Sequence, residues 1–303
     1  MITALLILAA TLATEPRVTT YDVPQKQIPT ELVRHGDALW FVSWKDWPKI
    51  HANLGRIDAK GKFTMTDVPE EHMPGIAART KDGTLWLSDA RKPVLWRVGK
   101  DGKVTQVKTK GTTQGIAIGP DGSLWTTHHG SANITQFGTD GAQKGVWEVA
   151  GKKKSQPLFI VPGPDGALWF TEQNERRIGR ISTTGELKTW PLPPTFGSPM
   201  QIIVGPDNAL WFSVSNTFLG RITTKGEIST EKIGIRATWL ATDSKGRLWY
   251  TDGVRAGYLD RTRTPREFEV KGAKNIRALA EGPDGAMWFA DQVALTIGRI
   301  QVD

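Results

Sequence analysis

Gly163-Pro164-Asp165-Gly166-Ala167-Leu168-Trp169-Phe170-Thr171-Glu172 is the clearest copy of a phrase that recurs along the chain. An Asp-Gly pair followed by a small residue and Leu-Trp-Phe encodes a tight hairpin reversal and then a strand of aromatic and β-branched types. The tryptophan of the phrase returns as Trp40, Trp86, Trp125, Trp169, Trp211, Trp249 and Trp288, at intervals of 46, 39, 44, 42, 38 and 39 residues. A period near 40 containing four short strand-like runs is the signature of a β-propeller blade.

The unit around Trp169 reads as four strands. Leu158 to Val161 is an apolar run that stops at Pro162, and Ala167 to Thr171 follows the Asp165-Gly166 turn. The polar stretch Gln173 to Arg177 connects to a third strand, Ile178-Gly179-Arg180-Ile181; after Thr184-Gly185, Leu187 to Leu192 forms an outer strand. The third-strand phrase recurs as Leu54-Gly55-Arg56-Ile57, Leu219-Gly220-Arg221-Ile222 and Ile297-Gly298-Arg299-Ile300. Apart from the extreme N-terminus, no window carries a sustained helical period.

The last unit has no outer strand of its own, whereas Val18-Thr19-Thr20-Tyr21-Asp22-Val23-Pro24 resembles the outer-strand phrase beginning at Leu187. The sequence therefore predicts an all-β fold: a seven-bladed β-propeller of four-stranded antiparallel blades. The N-terminal strand completes the last blade and removes an open sheet edge. Residues 15–303 form this single domain, expected to be a monomer.

Composition agrees with a turn-rich globular chain: 39% apolar and 23% charged, with 32 glycines and 18 prolines. There are no cysteines, which excludes disulfides and thiolate chemistry. The net charge of +8 invites a nucleic-acid reading. The basic residues are instead spread over loops and third strands, as in Lys152-Lys153-Lys154 and Arg261-Thr262-Arg263, without an RNA-binding motif. No nucleic-acid partner is expected; the basic residues read first as a solvated surface, with an anionic envelope polymer or surface as the functional alternative. Ile2 to Leu12 is apolar and followed by small residues. It is too short to span a bilayer, so the protein is not expected to be integral to a membrane. The segment reads as the core of a signal peptide over residues 1–14, which places the mature chain in the periplasm or outside the cell.

In such a blade the turn between the first two strands points to one face. The start of the first strand and the end of the second then meet at the other face, at the mouth of the central channel. The position three after the repeated tryptophans carries Asp89, His128, Glu172, Asp252 and Asp291; that eleven before carries Gln114, Thr238 and Arg277. Arg277 and Asp291 lie symmetrically about the Asp284-Gly285 turn and are expected to pair across the hairpin. Asp89, Glu172, Asp252 and Asp291 are candidate ligands for a hard cation, Mg²⁺ or Ca²⁺. His128, Glu172 and Asp291 are candidate catalytic groups, with His129, Gln114, Asn275 and Arg277 beside them as ligand contacts. Equally, every blade needs a polar residue where its second strand reaches a solvated mouth. Trp44 and Trp47, in the stretch Trp44-Lys45-Asp46-Trp47-Pro48-Lys49-Ile50-His51, form an aromatic platform for a flat ligand or pack down over the blade edge.

The phrases around Trp169 and Ile178-Gly179-Arg180-Ile181 resemble those of the streptogramin lyases, the virginiamycin B lyase family, over essentially the whole chain after the leader. The resemblance implies a seven-bladed propeller that opens cyclic depsipeptide antibiotics by elimination, with Mg²⁺. It also implies a histidine opening the last full hairpin, a glutamate two residues earlier and a second glutamate closing the hairpin. In this chain those positions are Arg277, Asn275 and Asp291, and a further family histidine falls on Thr238. An arginine stays protonated and cannot act as a base.

Two functions follow. One is an exported propeller that binds a small molecule, peptide or envelope polymer at the charged channel mouth. The other is a divergent metal-dependent enzyme, a carbon–oxygen lyase or a lactonase-like hydrolase, built on His128 or Glu172.

Overall fold

The computed structural model describes residues 15–45, 51–68, 74–89, 91–99, 103–149, 155–214 and 216–302. Residues 1–14, which carry the expected signal peptide, Trp47 and the Lys152–Lys154 run lie outside the described residues. Twenty-eight strands, among the described residues, form seven four-stranded antiparallel sheets. Blades 1 to 6 each use four consecutive strands. Blade 7 takes three strands from the end of the chain and its fourth, β1 (Arg17–Asp22), from the beginning. β1 pairs with β28 (Thr296–Gln301) from Arg17 opposite Gln301 to Asp22 opposite Thr296, which is the predicted closure.

The first strands of adjacent blades neighbour one another around the ring and so line its axis. They are β2 (Ile28–His35), β6 (Pro74–Arg79), β10 (Gly115–Ile118), β14 (Pro157–Pro162), β18 (Pro199–Val204), β22 (Trp239–Thr242) and β26 (Ile276–Glu281). The Leu-Trp-Phe phrase forms the second strand. In β15 (Leu168–Glu172) every residue is buried, because neighbouring blades cover both faces. Outer strands such as β17 (Leu187–Pro191) hold only half-buried and exposed residues. Trp86, Trp125, Trp169, Trp211, Trp249 and Trp288 are all buried in the core, and Trp40 is half-buried.

The recurring residues explain one another. The carboxylate of the hairpin turn accepts a hydrogen bond from the indole four residues on and another from the third strand. Asp165 takes Trp169 Nε1 at 2.9 Å and Arg180 Nε at 2.6 Å. Asp207 takes Trp211 Nε1 at 2.8 Å and Arg221 Nε at 2.7 Å. Asp284 holds Trp288 and Arg299 in the same way, and Asp121 holds Trp125 and Gln136. Burial disfavours the charge on Asp165, but the indole and guanidinium hydrogen bonds outweigh it and keep the carboxyl below the ordinary carboxylate range. The glycines fit the rings: a Cβ on Gly163 would lie 2.3 Å from Trp169 Cδ1, and one on Gly179 would lie 2.1 Å from Phe170 Cζ. Blade 2 departs from this pattern: Asp82 turns to Thr80 and Thr84, and Trp86 Nε1 has no partner among the described residues.

Deleting residues through Asp22 is expected to unfold or aggregate the protein, since it leaves β28 as an unpaired edge; size-exclusion chromatography of the deletion checks this. Trp169→Ala removes a fully buried indole. It is expected to cost about 3–5 kcal/mol in urea unfolding, and a loss below about 1 kcal/mol would place Trp169 outside the core.

Candidate functional site at the channel

The acidic residues that end the second strands are turned into their own blades. Asp89 Oδ1 accepts the backbone N–H groups of Arg91 and Lys92 at 2.8 and 2.9 Å, and its Oδ2 accepts Trp96 Nε1 at 3.2 Å. Asp252 Oδ1 accepts Val254 N and Arg255 N, and its Oδ2 lies 2.7 Å from Arg255 Nη2. Burial raises the Asp252 pKa, but the backbone and arginine hydrogen bonds prevail and hold it below the ordinary value. Glu172 is fully buried; its Oε2 takes Ser155 Oγ at 2.7 Å and Arg177 Nη2 at 2.6 Å. Its Oε1 is buried with no hydrogen-bond partner among the described residues. Glu172 thus takes side-chain donors, whereas Asp89 and Asp252 terminate the loops between second and third strands by satisfying backbone donors that the strand ends leave open.

Asp291 does the same, which corrects the expected pairing with Arg277. The Cα partner of Asp291 is Ile276, and Arg277 sits in a β-bulge between Ile276 and Ala278. The extra residue turns the Arg277 side chain out, where it is exposed and makes no hydrogen bond or ion pair with a described residue. Asp291 accepts four backbone N–H groups instead, from Lys274, Asn275, Val293 and Ala294, at 2.6 to 3.1 Å. Asn275 therefore meets Asp291 through its backbone.

His128 is 1% exposed. Its Nδ1 lies 3.2 Å from Gly111 O, which can only accept, so Nδ1 carries the proton. Nε2, 3.0 Å from Thr126 Oγ1, is then the acceptor in a neutral ring. Burial lowers its pKa more than the backbone hydrogen bonds raise it. Both nitrogens are thus committed within the blade. His129 and Gln114 are half-buried at the same mouth. Trp44 belongs to β3 (Ala38–Lys45), not to a loop. It packs against the core between blades 1 and 2 that includes Val42, Leu54 and Leu87. Of the two platform candidates, Trp44 therefore packs down, while Trp47 lies outside the described residues.

A different layer of residues converges on the axis. Each first strand has one residue opposite the position after the repeated tryptophan, such as Ile160 opposite Phe170 and Leu240 opposite Tyr250. The residue before it is Glu31, Phe159, Gln201 or Trp239 in blades 1, 4, 5 and 6. Phe159 and Trp239 make an edge-to-face contact with centroids 5.7 Å apart, although their blades are separated by blade 5, so the contact reaches across the lumen. Gln201, from the blade between them, accepts Leu240 N on Oε1. Trp239 Nε1 is buried without a hydrogen-bond partner among the described residues. Glu31 is half-buried and makes no hydrogen bond or ion pair with a described residue. Enclosure in the lumen desolvates its carboxyl and pushes its pKa up to about 7.

Counting from the tryptophan missed Glu31, because the blade 1 turn is one residue shorter and β-bulges at Pro29/Leu32, Pro74/Ala77, Pro157/Ile160 and Pro199/Ile202 shift the strands. The available signal was the isolated acid in Ile28-Pro29-Thr30-Glu31-Leu32-Val33, on a strand whose neighbours are apolar.

The Mg²⁺ implied by the resemblance finds no fitting donor set. Among the described residues no three His, Asp or Glu side chains converge as metal ligands. The oxygens of Asp291, which would have to hold the ion, are occupied by backbone N–H groups.

Seven four-stranded blades whose first strands line a common axis define a seven-bladed propeller. The model of the virginiamycin B lyase family matches residues 106–303, and the chain belongs to that family. It is similar to a solved streptogramin B lyase at 26% identity and a TM-score of 0.86, covering 95% of this chain and 98% of that one. It is similar also to a catalytically inactive variant of virginiamycin B lyase from Staphylococcus aureus with quinupristin, at 25% identity and TM-score 0.86, covering 95% and 100%. A putative gluconolactonase shares the fold at 18% identity and TM-score 0.55, over 73% of this chain and 84% of that one. A search of curated proteins finds no match.

The raised pKa of Glu31 makes the folded chain hold a proton that the unfolded chain releases from about pH 4.5 upward. Its contribution therefore lowers stability as pH rises from about 4.5 to about 7 and keeps it lower above that. Glu31→Gln is expected to be more stable than the parent by about 1–3 kcal/mol at pH 8.5 and equal to it below about pH 4. Urea midpoints at the two pH values check this; equal midpoints at both would mean that Glu31 is freely solvated.

Proposed function

We propose that this chain is a ligand-binding member of the virginiamycin B lyase family, which captures a small molecule, peptide or envelope polymer at the mouth of its channel without converting it by the family's elimination. One observation carries the reading. The position where the resemblance calls for a basic histidine is Arg277, exposed in a bulge, while its expected carboxylate partner Asp291 is held by four backbone N–H groups. A free guanidinium at a channel mouth attracts an anionic or carbonyl-rich ligand and cannot abstract a proton. The apolar stretch Ile2 to Leu12 supports an exported protein that meets its ligand in the periplasm or outside the cell.

The near-neutral pKa of Glu31 supports the divergent enzyme as a second reading, because a carboxyl titrating near 7 can act as a general acid or base. Mass spectrometry of quinupristin incubated with the full chain and Mg²⁺ separates the two. The antibiotic is expected to remain intact, and calorimetry is expected to detect no carboxylate-dependent Mg²⁺ binding. Time-dependent appearance of the linear elimination product, abolished by chelator, would overturn the binding reading.

A further inference from the structure

We propose that the cavity at the seam between blades 5 and 6, on the face opposite the channel mouth, is a binding site for a planar aromatic acid, whose ring stacks on Arg263 and whose carboxylate pairs with Arg261. At three other seams a ring of the chain itself occupies the corresponding place. There the outer strand of a blade stacks an aromatic residue on that blade's repeated tryptophan: Trp147 on Trp125 and Trp190 on Trp169, each with centroids 5.1 Å apart, and Tyr21 on Trp288 at 5.7 Å. The ring also lies against a glycine in the turn between the third and fourth strands of the next blade, Gly185, Gly226 or Gly61, where a Cβ would run into it. The seam between blades 5 and 6 breaks both parts of this arrangement. The outer strand β21 (Ile228–Lys232) has Glu231 opposite Leu219, the register position that Trp190 holds opposite Ile178. The turn of blade 6 closes from Arg263 N–H to Asp260 O, as Gly226 N–H closes on Thr223 O, so Arg263 stands at the glycine position. Its φ of +63° is left-handed, which a non-glycine residue adopts at a cost.

A cavity of about 420 Å³ opens at this seam, lined by Pro206 and Trp211 of blade 5 and by Leu248, Leu259, Arg261 and Arg263 of blade 6. That is room for a bicyclic ring among mostly apolar walls. The Arg263 guanidinium lies over the Trp211 ring, 5.6 Å from its centroid, and 45% of its side chain stays exposed, so its outer side offers a flat surface for stacking. Its charge is met by Asp207 at 3.1 Å and Glu231 at 3.8 Å. The Asp260 carboxylate accepts the backbone N–H groups of Thr262 and Thr264 in its own turn. Arg261 is the charge left over. Its Nε donates to Lys245 O at 3.1 Å, which holds the exposed side chain in place, and its two Nη groups have no hydrogen-bond or ion-pair partner among the described residues. A guanidinium held in this way presents a pair of N–H groups in the geometry that a carboxylate matches. A stacking surface beside one unmatched positive charge is the complement of an aromatic carboxylate.

Calorimetry on the full chain tests this with three probes that share one ring: the anion indole-3-acetate, the neutral indole-3-acetamide and the cation tryptamine. Indole-3-acetate is expected to bind saturably and at least about tenfold more tightly than the other two. Arg261→Gln is expected to weaken it about tenfold. Glu231→Trp combined with Arg263→Gly gives this seam the indole and the glycine found between blades 4 and 5. That double variant is expected to fold, which circular dichroism checks, and to lose the binding. The site is overturned if indole-3-acetate shows no saturable binding, if tryptamine binds as tightly, or if Arg261→Gln leaves the affinity unchanged. Full affinity in the folded double variant overturns it too, because the acid then binds elsewhere on the chain. If the double variant does not fold, Arg263→Gly alone, at a turn position that blades 1, 4 and 5 give to glycine, replaces it. A loss of about fivefold is then expected, and unchanged affinity overturns the site.

Discussion

The hydrogen-bonded set of turn carboxylate, indole N–H and third-strand guanidinium is the interaction on which the rest of the molecule depends. It ties the first hairpin of a blade to its third strand at the face opposite the channel mouth. In Asp165, Trp169 and Arg180 it also places the indole, fully buried, between neighbouring blades. A buried indole without an acceptor and a buried carboxylate without donors would each be costly; together they satisfy one another. The same set fixes the flanking glycines, since the indole and the phenyl ring of Leu-Trp-Phe lie against the backbone where a Cβ would stand.

With one face of blades 3, 4, 5 and 7 fixed in this way, the opposite face is free to differ. There the strand ends leave backbone donors that some side chain must accept. Asp89, Asp252 and Asp291 perform that task, and so their carboxylates turn toward loop N–H groups and away from the axis. Acidic residues repeated around a ring suggest a metal cage, yet in this propeller each one closes its own loop. On the first strands, one layer away, the bulges break the ladder and turn side chains inward or outward.

The contrast between Glu31 and Asp291 is one of environment. Asp291 is more deeply buried, but four N–H groups solvate its charge. Glu31 retains more surface and has no such donors, so enclosure in the lumen acts on it unopposed. A group kept near neutrality in this way is a common mark of a functional site.

The sequence by itself determined the number of blades, their four-stranded make-up and the closure by Arg17–Asp22. These follow from local periodicity and turn chemistry that repeat seven times and reinforce one another. It also determined that Arg277, Asn275 and Thr238 stand where the family resemblance calls for other residues. Only the tertiary structure decided which way the side chains at the mouth point. A one-residue bulge moves a side chain to the other face of its strand, and no local pattern distinguishes a bulged from a regular strand at Ile276–Ala278. The meeting of Phe159 with Trp239 was equally invisible in the chain. It joins residues from non-neighbouring blades, and their proximity exists only once the ring has closed around its axis.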